Sequence, residues 1–280
     1  MAPERCWWPA PAKINRFLHI LGRRPDGYHR IQTLFQFIDL QDELAFEPAA
    51  DGLLQMVEGP DWLADEDNLI LRAARLLRQR AGWPRLGVRI RLRKRIPAGG
   101  GLGGGSSDAA TTLQALNHYW KTGLSGTELR RLALELGADV PVFLLGVAAF
   151  AEGVGERLHP WPADVWTGVL VDPGVAVSTR EVFSDPALTR DSNPIKIRHL
   201  SSLSWRNDCE AVVRWRHPRV DAAMEYMSRW GRPWMTGTGA CLFMALPERL
   251  HEAFRAGLPQ RARCWTIRLL NRSPLAQWVE

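Results

Sequence analysis

The chain has 280 residues, 46% of them hydrophobic and 24% charged, and carries a formal net charge of +6. That composition is that of a soluble globular protein, and the length suits one large domain or two lobes with enough core to need no disulfide or metal staple. Four scattered cysteines, Cys6, Cys209, Cys241 and Cys264, form no C-x-x-C pair, which speaks against a zinc site and a disulfide framework and for reduced thiols.

In chain order, the segment Met1 to Pro11 carries prolines and the charged pair Glu4 and Arg5, not the apolar core of a signal peptide. No apolar run approaches the ~18 residues of a membrane helix. A cytoplasmic protein without a membrane partner is expected. A strand is predicted over 36–47. Asn68 reads as the N-cap of a helix that turns Leu69, Ala73, Leu76 and Leu77 to one face and ends at Gly82. In Val88 to Arg93 apolar and basic residues alternate, which predicts a half-buried strand over 88–94 with arginines toward solvent. No interleaved aromatics or reading-helix motif accompany these arginines, so no nucleic-acid partner is expected.

A helical stretch is predicted from Ala109 to Asn117. Ser125-Gly126-Thr127-Glu128 is a capping box opening a helix with Leu129, Leu132, Ala133 and Leu136 inward, stopped by Gly137. Strands follow at 147–152, 166–171, 241–246 and 265–270, with helices from Pro218 to Trp230 and after Pro247. The stretch 184–207, rich in Ser, Asp, Asn and Pro, is a candidate lobe boundary, with the division drawn nearer 160: one domain over 1–160 and a second over 161–280. Strands and helices in mixed order predict an α+β fold rather than a doubly wound parallel sheet.

The strongest chemical feature is Pro97-Ala98-Gly99-Gly100-Gly101-Leu102-Gly103-Gly104-Gly105-Ser106-Ser107-Asp108, set between the arginine strand and a helix start. Glycines let backbone N–H groups approach a bound group, and a helix start adds unsatisfied donors with partial positive charge. Together they make a phosphate cradle, to which Ser106 and Ser107 add hydroxyls able to touch a magnesium ion. The dinucleotide pattern G-x-G-x-x-G is contained here, but no acid ends a second strand about 20 residues on. The Walker pattern fails because no lysine precedes the serines.

The run Pro97 to Ser107 resembles the central ATP-binding motif of the GHMP kinases. Pro11-Ala12-Lys13-Ile14-Asn15 and Thr236-Gly237-Thr238-Gly239-Ala240-Cys241-Leu242-Phe243 flank it in that superfamily's order. Pro25-Asp26-Gly27-Tyr28-His29, Asp67-Asn68-Leu69-Ile70, Gly137-Ala138-Asp139-Val140-Pro141-Val142-Phe143 and Ala151-Glu152-Gly153-Val154-Gly155-Glu156 narrow the resemblance to the 4-diphosphocytidyl-2-C-methyl-D-erythritol kinase family. One departure is Arg16, where a bulky apolar residue is expected; the tail with Trp7 and Trp8 is another.

The resemblance implies a two-lobe α+β fold, with ATP and substrate in the inter-lobe cleft. It also implies transfer of the ATP γ-phosphoryl group to the 2-hydroxyl of a small-molecule substrate, cytidine diphosphate-linked methylerythritol, on the non-mevalonate isoprenoid route. Magnesium would enter with ATP, on ligands the sequence does not identify, and a homodimer is left open. Asp139 would take the proton of the attacking hydroxyl. At a free pKa of ~3.9 it is a weak base, which a loose phosphoryl-transfer transition state tolerates. Lys13 would pair with Asp139 and stabilise charge on the transferring group. If its segment is a strand, Asn15 shares that face and would bond the substrate.

By the same resemblance Tyr28 would stack on the cytosine, His29 would read its polar edge and Phe183 would cover the other side. Thr179 would lie near the diphosphate. Lys94 and Asn68 are candidate ATP contacts, though a surface charge and a helix cap serve as well. Gly237, Thr238 and Gly239 would lie beside phosphates and substrate, or form a tight turn only. Another GHMP kinase, for homoserine or mevalonate, is disfavoured by the Tyr-His and Gly-Ala-Asp elements. A nicotinamide oxidoreductase is disfavoured by the missing ribose-binding acid, and a non-catalytic nucleotide-binding protein by intact Lys13 and Asp139.

Overall fold

The computed structural model describes residues 6–49, 52–63, 68–202 and 205–278. The first half of the chain runs β1 (Trp7–Arg23), β2 (His29–Ala49), β3 (Leu54–Glu58), α1 (Leu69–Ala81), β4 (Gly87–Arg93), α2 (Gly104–Tyr119), α3 (Gly126–Leu136), α4 (Val140–Leu145), β5 (Ala149–Glu152) and β6 (Arg157–Pro160). The second half runs β7 (Thr167–Asp172), α5 (Thr179–Ser184), α6 (Glu210–Arg216), α7 (Pro218–Ser228), β8 (Trp234–Met235), β9 (Leu242–Ala245), α8 (His251–Ala256) and β10 (Arg263–Leu270). Among the described residues no helix is long and apolar enough to cross a membrane. The four cysteines are free thiols.

The strands form one mixed sheet in the order β3-β4-β2-β10-β7-β9-β8, with β1 and β5 also on β2 and β6 on β5. Every pairing is antiparallel except β3 with β4. Helices α1 to α4 bury Leu71, Leu77, Leu113, Leu116 and Val140 against the first strands. A second core gathers Val169, Val171, Met224, Met227 and Phe254, to which β1 and β2 lend Leu18, Ile20 and Ile31. The α+β class is as expected. It arises because hairpin-like strand runs, not βαβ crossovers, supply most of the pairing.

The predicted strands and long helices are present, with boundaries moved. Asn68 caps α1 through its side-chain oxygen on the Ile70 N–H at 2.9 Å, and Gly82 ends the helix in the left-handed region at φ 72°. Ser125 and Glu128 close the reciprocal capping box. Asp67, the first residue of the Asp67 to Ile70 motif, lies outside the described residues. Helix α2 begins five residues before the predicted start, at Gly104. The arginine face of β4 is less bare than expected: Arg91 pairs with Glu47 at 3.3 Å and Glu58 at 3.2 Å.

The Arg16 departure has a structural answer. The side chain is buried and donates to Gln36 Oε1 at 2.9 Å and to the Asp164 carbonyl at 3.2 Å. Its guanidinium lies 5.5 Å from the Trp166 ring and 5.1 Å from the Trp205 ring. Two aromatic faces and two acceptors replace the water that a buried cation loses. Two of the tryptophans are thereby accounted for, and Trp7 covers Arg93 in the same way at 3.8 Å.

Candidate active site

Strand β1 positions a buried polar pair in the molecule's main cleft. Lys13 pairs with Phe37 of β2 and Asn15 with Phe35, so both side chains leave the same face. The Lys13 ammonium is 3% exposed, where a lone charge would be costly, and is satisfied on three sides. It donates to Asn15 Oδ1 at 2.6 Å and to the Gly101 carbonyl at 3.1 Å, and lies 3.1 Å from Asp139 Oδ2. Asp139 comes from the short link between α3 and α4, at the N-cap of α4, and keeps 34% of its side chain in the open. A buried ammonium thus meets a carboxylate that solvent and ligands can reach.

The glycine run arches over this pair. A Cβ on Gly101 would stand 2.2 Å from the Thr236 carbonyl oxygen, and one on Gly103 would stand 3.0 Å from both Lys13 Cε and Phe143 Cζ. Both residues have positive φ, 75° and 70°. Only glycine fits there, by space and by backbone. The first bond inside α2 runs from the Ser107 N–H to the Gly103 carbonyl at 2.8 Å. The N–H groups of Gly104, Gly105 and Ser106 therefore lack an intrahelical acceptor. A run of open donors at the start of a 16-residue helix fits the phosphates of a nucleotide.

The C-terminal loop closes the other wall. Thr236 Oγ1 accepts from the Asn15 N–H at 2.9 Å, and Asn207 donates to the Gly237 carbonyl at 2.7 Å. Thr238 and Thr179 share a hydrogen bond at 2.8 Å, which ties this loop to α5. At the far end Tyr28 is 63% exposed, and Phe183 stacks on His29 with ring centroids 4.9 Å apart. Burial, then the cations Arg190 and Arg23, push the His29 pKa below its usual value. Arg190 Nε donates to His29 Nε2 at 3.2 Å.

The cleft volume is about 960 Å³, ample for a nucleotide and a second small molecule. Every site residue predicted from the sequence lines it except Asn68, Ser107 and Gly239. Asn68 is fully buried as the cap of α1, though its Nδ2 meets no acceptor among the described residues. Ser107 is fully buried on α2, its Oγ likewise unpartnered among the described residues. Gly239 serves the turn, its N–H donating to the Thr236 carbonyl at 2.9 Å. Lys94 is no surface charge: it donates to Asp42 Oδ2 at 2.5 Å and Asp108 Oδ2 at 2.7 Å. Thr236 and Asp108 stand within the motifs quoted from the sequence without a role of their own; sequence reasoning did not find Asn207, Arg190 or Asp42. Their partners are distant in sequence, and nothing local marks them.

Hard oxygen donors for magnesium are present in Asp139 and Ser106, but no group of three or more His, Cys, Asp or Glu converges among the described residues.

Comparison with known proteins gives a consistent result. Residues 68–147 match the GHMP kinases N terminal domain. A 4-diphosphocytidyl-2-C-methyl-D-erythritol kinase of Pseudomonas syringae pv. syringae is 54% identical over 242 residues, covering 86% of this chain and 85% of that protein. The enzyme of the same name from Halorhodospira halophila is 50% identical over 273 residues, covering 96% and 94%. A crystal structure of 4-(cytidine 5'-diphospho)-2C-methyl-D-erythritol kinase superposes with a TM-score of 0.78 at 38% identity, covering 94% of this chain and 99% of that one.

Proposed function

Since the chain belongs to the 4-diphosphocytidyl-2-C-methyl-D-erythritol kinases of the GHMP superfamily, we propose that Lys13 and Asp139 are the catalytic pair of its cleft. The reaction is phosphorylation of the 2-hydroxyl of 4-diphosphocytidyl-2-C-methyl-D-erythritol, a step in the methylerythritol phosphate route to isoprenoid precursors. Bound ATP supplies the phosphoryl group and a stable leaving group.

The observation that carries the assignment is the Lys13–Asp139 contact at 3.1 Å beneath the glycine arch. Asp139 Oδ2 is engaged with Lys13, which leaves Oδ1 to receive the proton of the attacking hydroxyl. The ammonium stands ready for charge that develops on the transferring group. Asn15 and the Gly101 carbonyl hold that ammonium in place, so its donors need not reorganise during transfer. Positioning of this kind is most of what a loose phosphoryl-transfer transition state requires.

The backbone from Pro97 to Gly105, with Ser106, takes the nucleotide, and Lys94 serves its far end, while the buried Asn68 and Ser107 act only through the helices α1 and α2 that they help to build. Magnesium enters with ATP and is held by phosphate oxygens, with Ser106 and Asp139 as candidate protein donors. Tyr28, His29 and Phe183 take the cytosine. Thr179, Gly237, Thr238 and Gly239 serve the diphosphate and the polyol. The lobes are assigned as 1–160 and 161–280, in the cytoplasm, where free thiols persist.

The test is ADP release from MgATP with the cytidyl substrate, against homoserine, mevalonate and methylerythritol lacking cytidine diphosphate. Turnover with the cytidyl substrate alone, lost in Asp139→Asn, is the expected result. Turnover with a control substrate instead would overturn the assignment.

A further inference from the structure

Three of the six buried polar atoms that lack a partner among the described residues, on Asn68, Ser107 and Asp108, lie at or just behind the glycine run. Asp108 is the informative one. Its Oδ2 accepts from Lys94, while Oδ1 is buried and accepts from nothing. The second carboxylate on Lys94, Asp42, is fully buried on β2. Asp42 Oδ1 accepts the Arg95 N–H at 2.6 Å and the Ile96 N–H at 2.9 Å, which pins the chain where β4 turns into the glycine run. A Cβ on Gly104 would stand 3.0 Å from Lys94 Nζ, so the ammonium rests against the start of α2.

Charge decides what such a lysine can bind. One cation between two buried carboxylates has no positive charge left to offer a phosphate. It does have a third N–H, since an ammonium carries three donors and two are used here. Lys94 and Asp108 both line the cleft, as do the apolar side chains of Trp62, Leu63 and Leu69, and Trp62 is 61% exposed. An uncharged ring system suits that wall better than a polyanion does.

We propose that Asp42 and Asp108 are positioning residues for the nucleotide. They hold Lys94 with its charge cancelled and one N–H open, so that it serves an uncharged acceptor of the nucleoside rather than a phosphate oxygen. The phosphates are left to the glycine backbone and the start of α2. The cleft thereby sorts the two chemical halves of one ligand by charge.

This rests on the nucleotide reading of the cleft, and turnover by the wild-type protein tests that reading separately. The direct test is calorimetric binding of adenosine and of inorganic tripolyphosphate to wild type, Lys94→Met and Asp108→Asn. Lys94→Met should weaken adenosine about tenfold, the worth of one hydrogen bond, and leave tripolyphosphate unchanged. Asp108→Asn should tighten tripolyphosphate several-fold while weakening adenosine, and should raise the KM for ATP with little change in kcat. A general loss of structure would weaken both ligands together. The proposal is overturned if Lys94→Met, with thermal unfolding like that of wild type, weakens tripolyphosphate as much as adenosine. Wild-type turnover combined with an unchanged ratio of the two affinities in both variants overturns it alone, with the function intact.

Discussion

Arg190 donates to His29, with Nε lying 3.2 Å from Nε2 of the imidazole. A guanidinium cannot accept a hydrogen bond, so His29 Nε2 is bare and the ring proton sits on Nδ1. His29 is therefore a neutral ring with a defined tautomer, stacked on Phe183. That gives the end of the cleft proposed for cytidine one fixed donor.

Acidification should disturb this arrangement. Burial and the neighbouring arginines lower the His29 pKa, so its neutral form is favoured in the fold. Its contribution is present above the free value of ~6.5 and is lost as pH falls through the lower folded value. The KM for the cytidyl substrate should stay flat from neutral pH down to that point and rise below it. Arg190→Met removes one of the lowering charges, so the break should move to higher pH. Histidine NMR titration of both proteins checks the shift directly.

Lys13→Met and Asp139→Asn should each lower kcat by about 10²–10³-fold, the scale for removing one preorganised charge or one proton acceptor. The residues touch, so their losses should not add. The double variant should be little worse than the poorer single one. Single-turnover measurement of the four proteins tests the coupling, and strict additivity would mean the two act apart.

Gly103→Ala places a methyl group against Lys13 and Phe143 on a backbone with φ 70°. The conformation alone should cost about 1–2 kcal/mol. Because the methyl presses on the Lys13 stem, kcat should fall beyond what the lost stability explains. Denaturant unfolding and kcat at a temperature where both proteins are folded separate the two effects.

Asp108 supplies a stability prediction. Burial drives its pKa up to about 7, against the pull of Lys94 and helped by Asp42. The fold thus binds a proton that the unfolded chain releases near ~3.9, and stability falls as pH rises between those values. Asp108→Asn lacks that loss. Its thermal midpoint relative to wild type should climb from about pH 4 to about pH 7 and level off above. A difference independent of pH would show that Asp108 does not titrate in this window.

Much of the site was legible in the sequence because its parts are local. The glycine run, the Lys13-x-Asn15 spacing and the acid after Gly137 each announce themselves within a dozen residues. Strand β1 was harder to see: Pro9 and Pro11 weaken its signal, and they are tolerated because at those positions its strand partner is β2 alone. Helix α4 was missed because six residues carry too little periodicity. Arg190, Asn207 and Asp42 could not be found at all from local pattern. Their partners, His29, Gly237 and Lys94, are reached only through the fold.

The pairing of β10 with β2 sets Leu269 against Ile38 and Leu270 against Phe37, joining the last strand of the chain to one of the first. During synthesis, then, β2 waits with part of its edge open until almost the whole polypeptide has left the ribosome. Contacts this far apart in sequence close late and slowly. The interval is when an exposed strand edge is most open to wrong partners, so chaperone demand should track translation of the final segment. A stop codon placed just before Arg263 would leave that edge permanently uncapped, and the product should be cleared by proteolysis although Lys13, Asp139 and the glycine run had all been made.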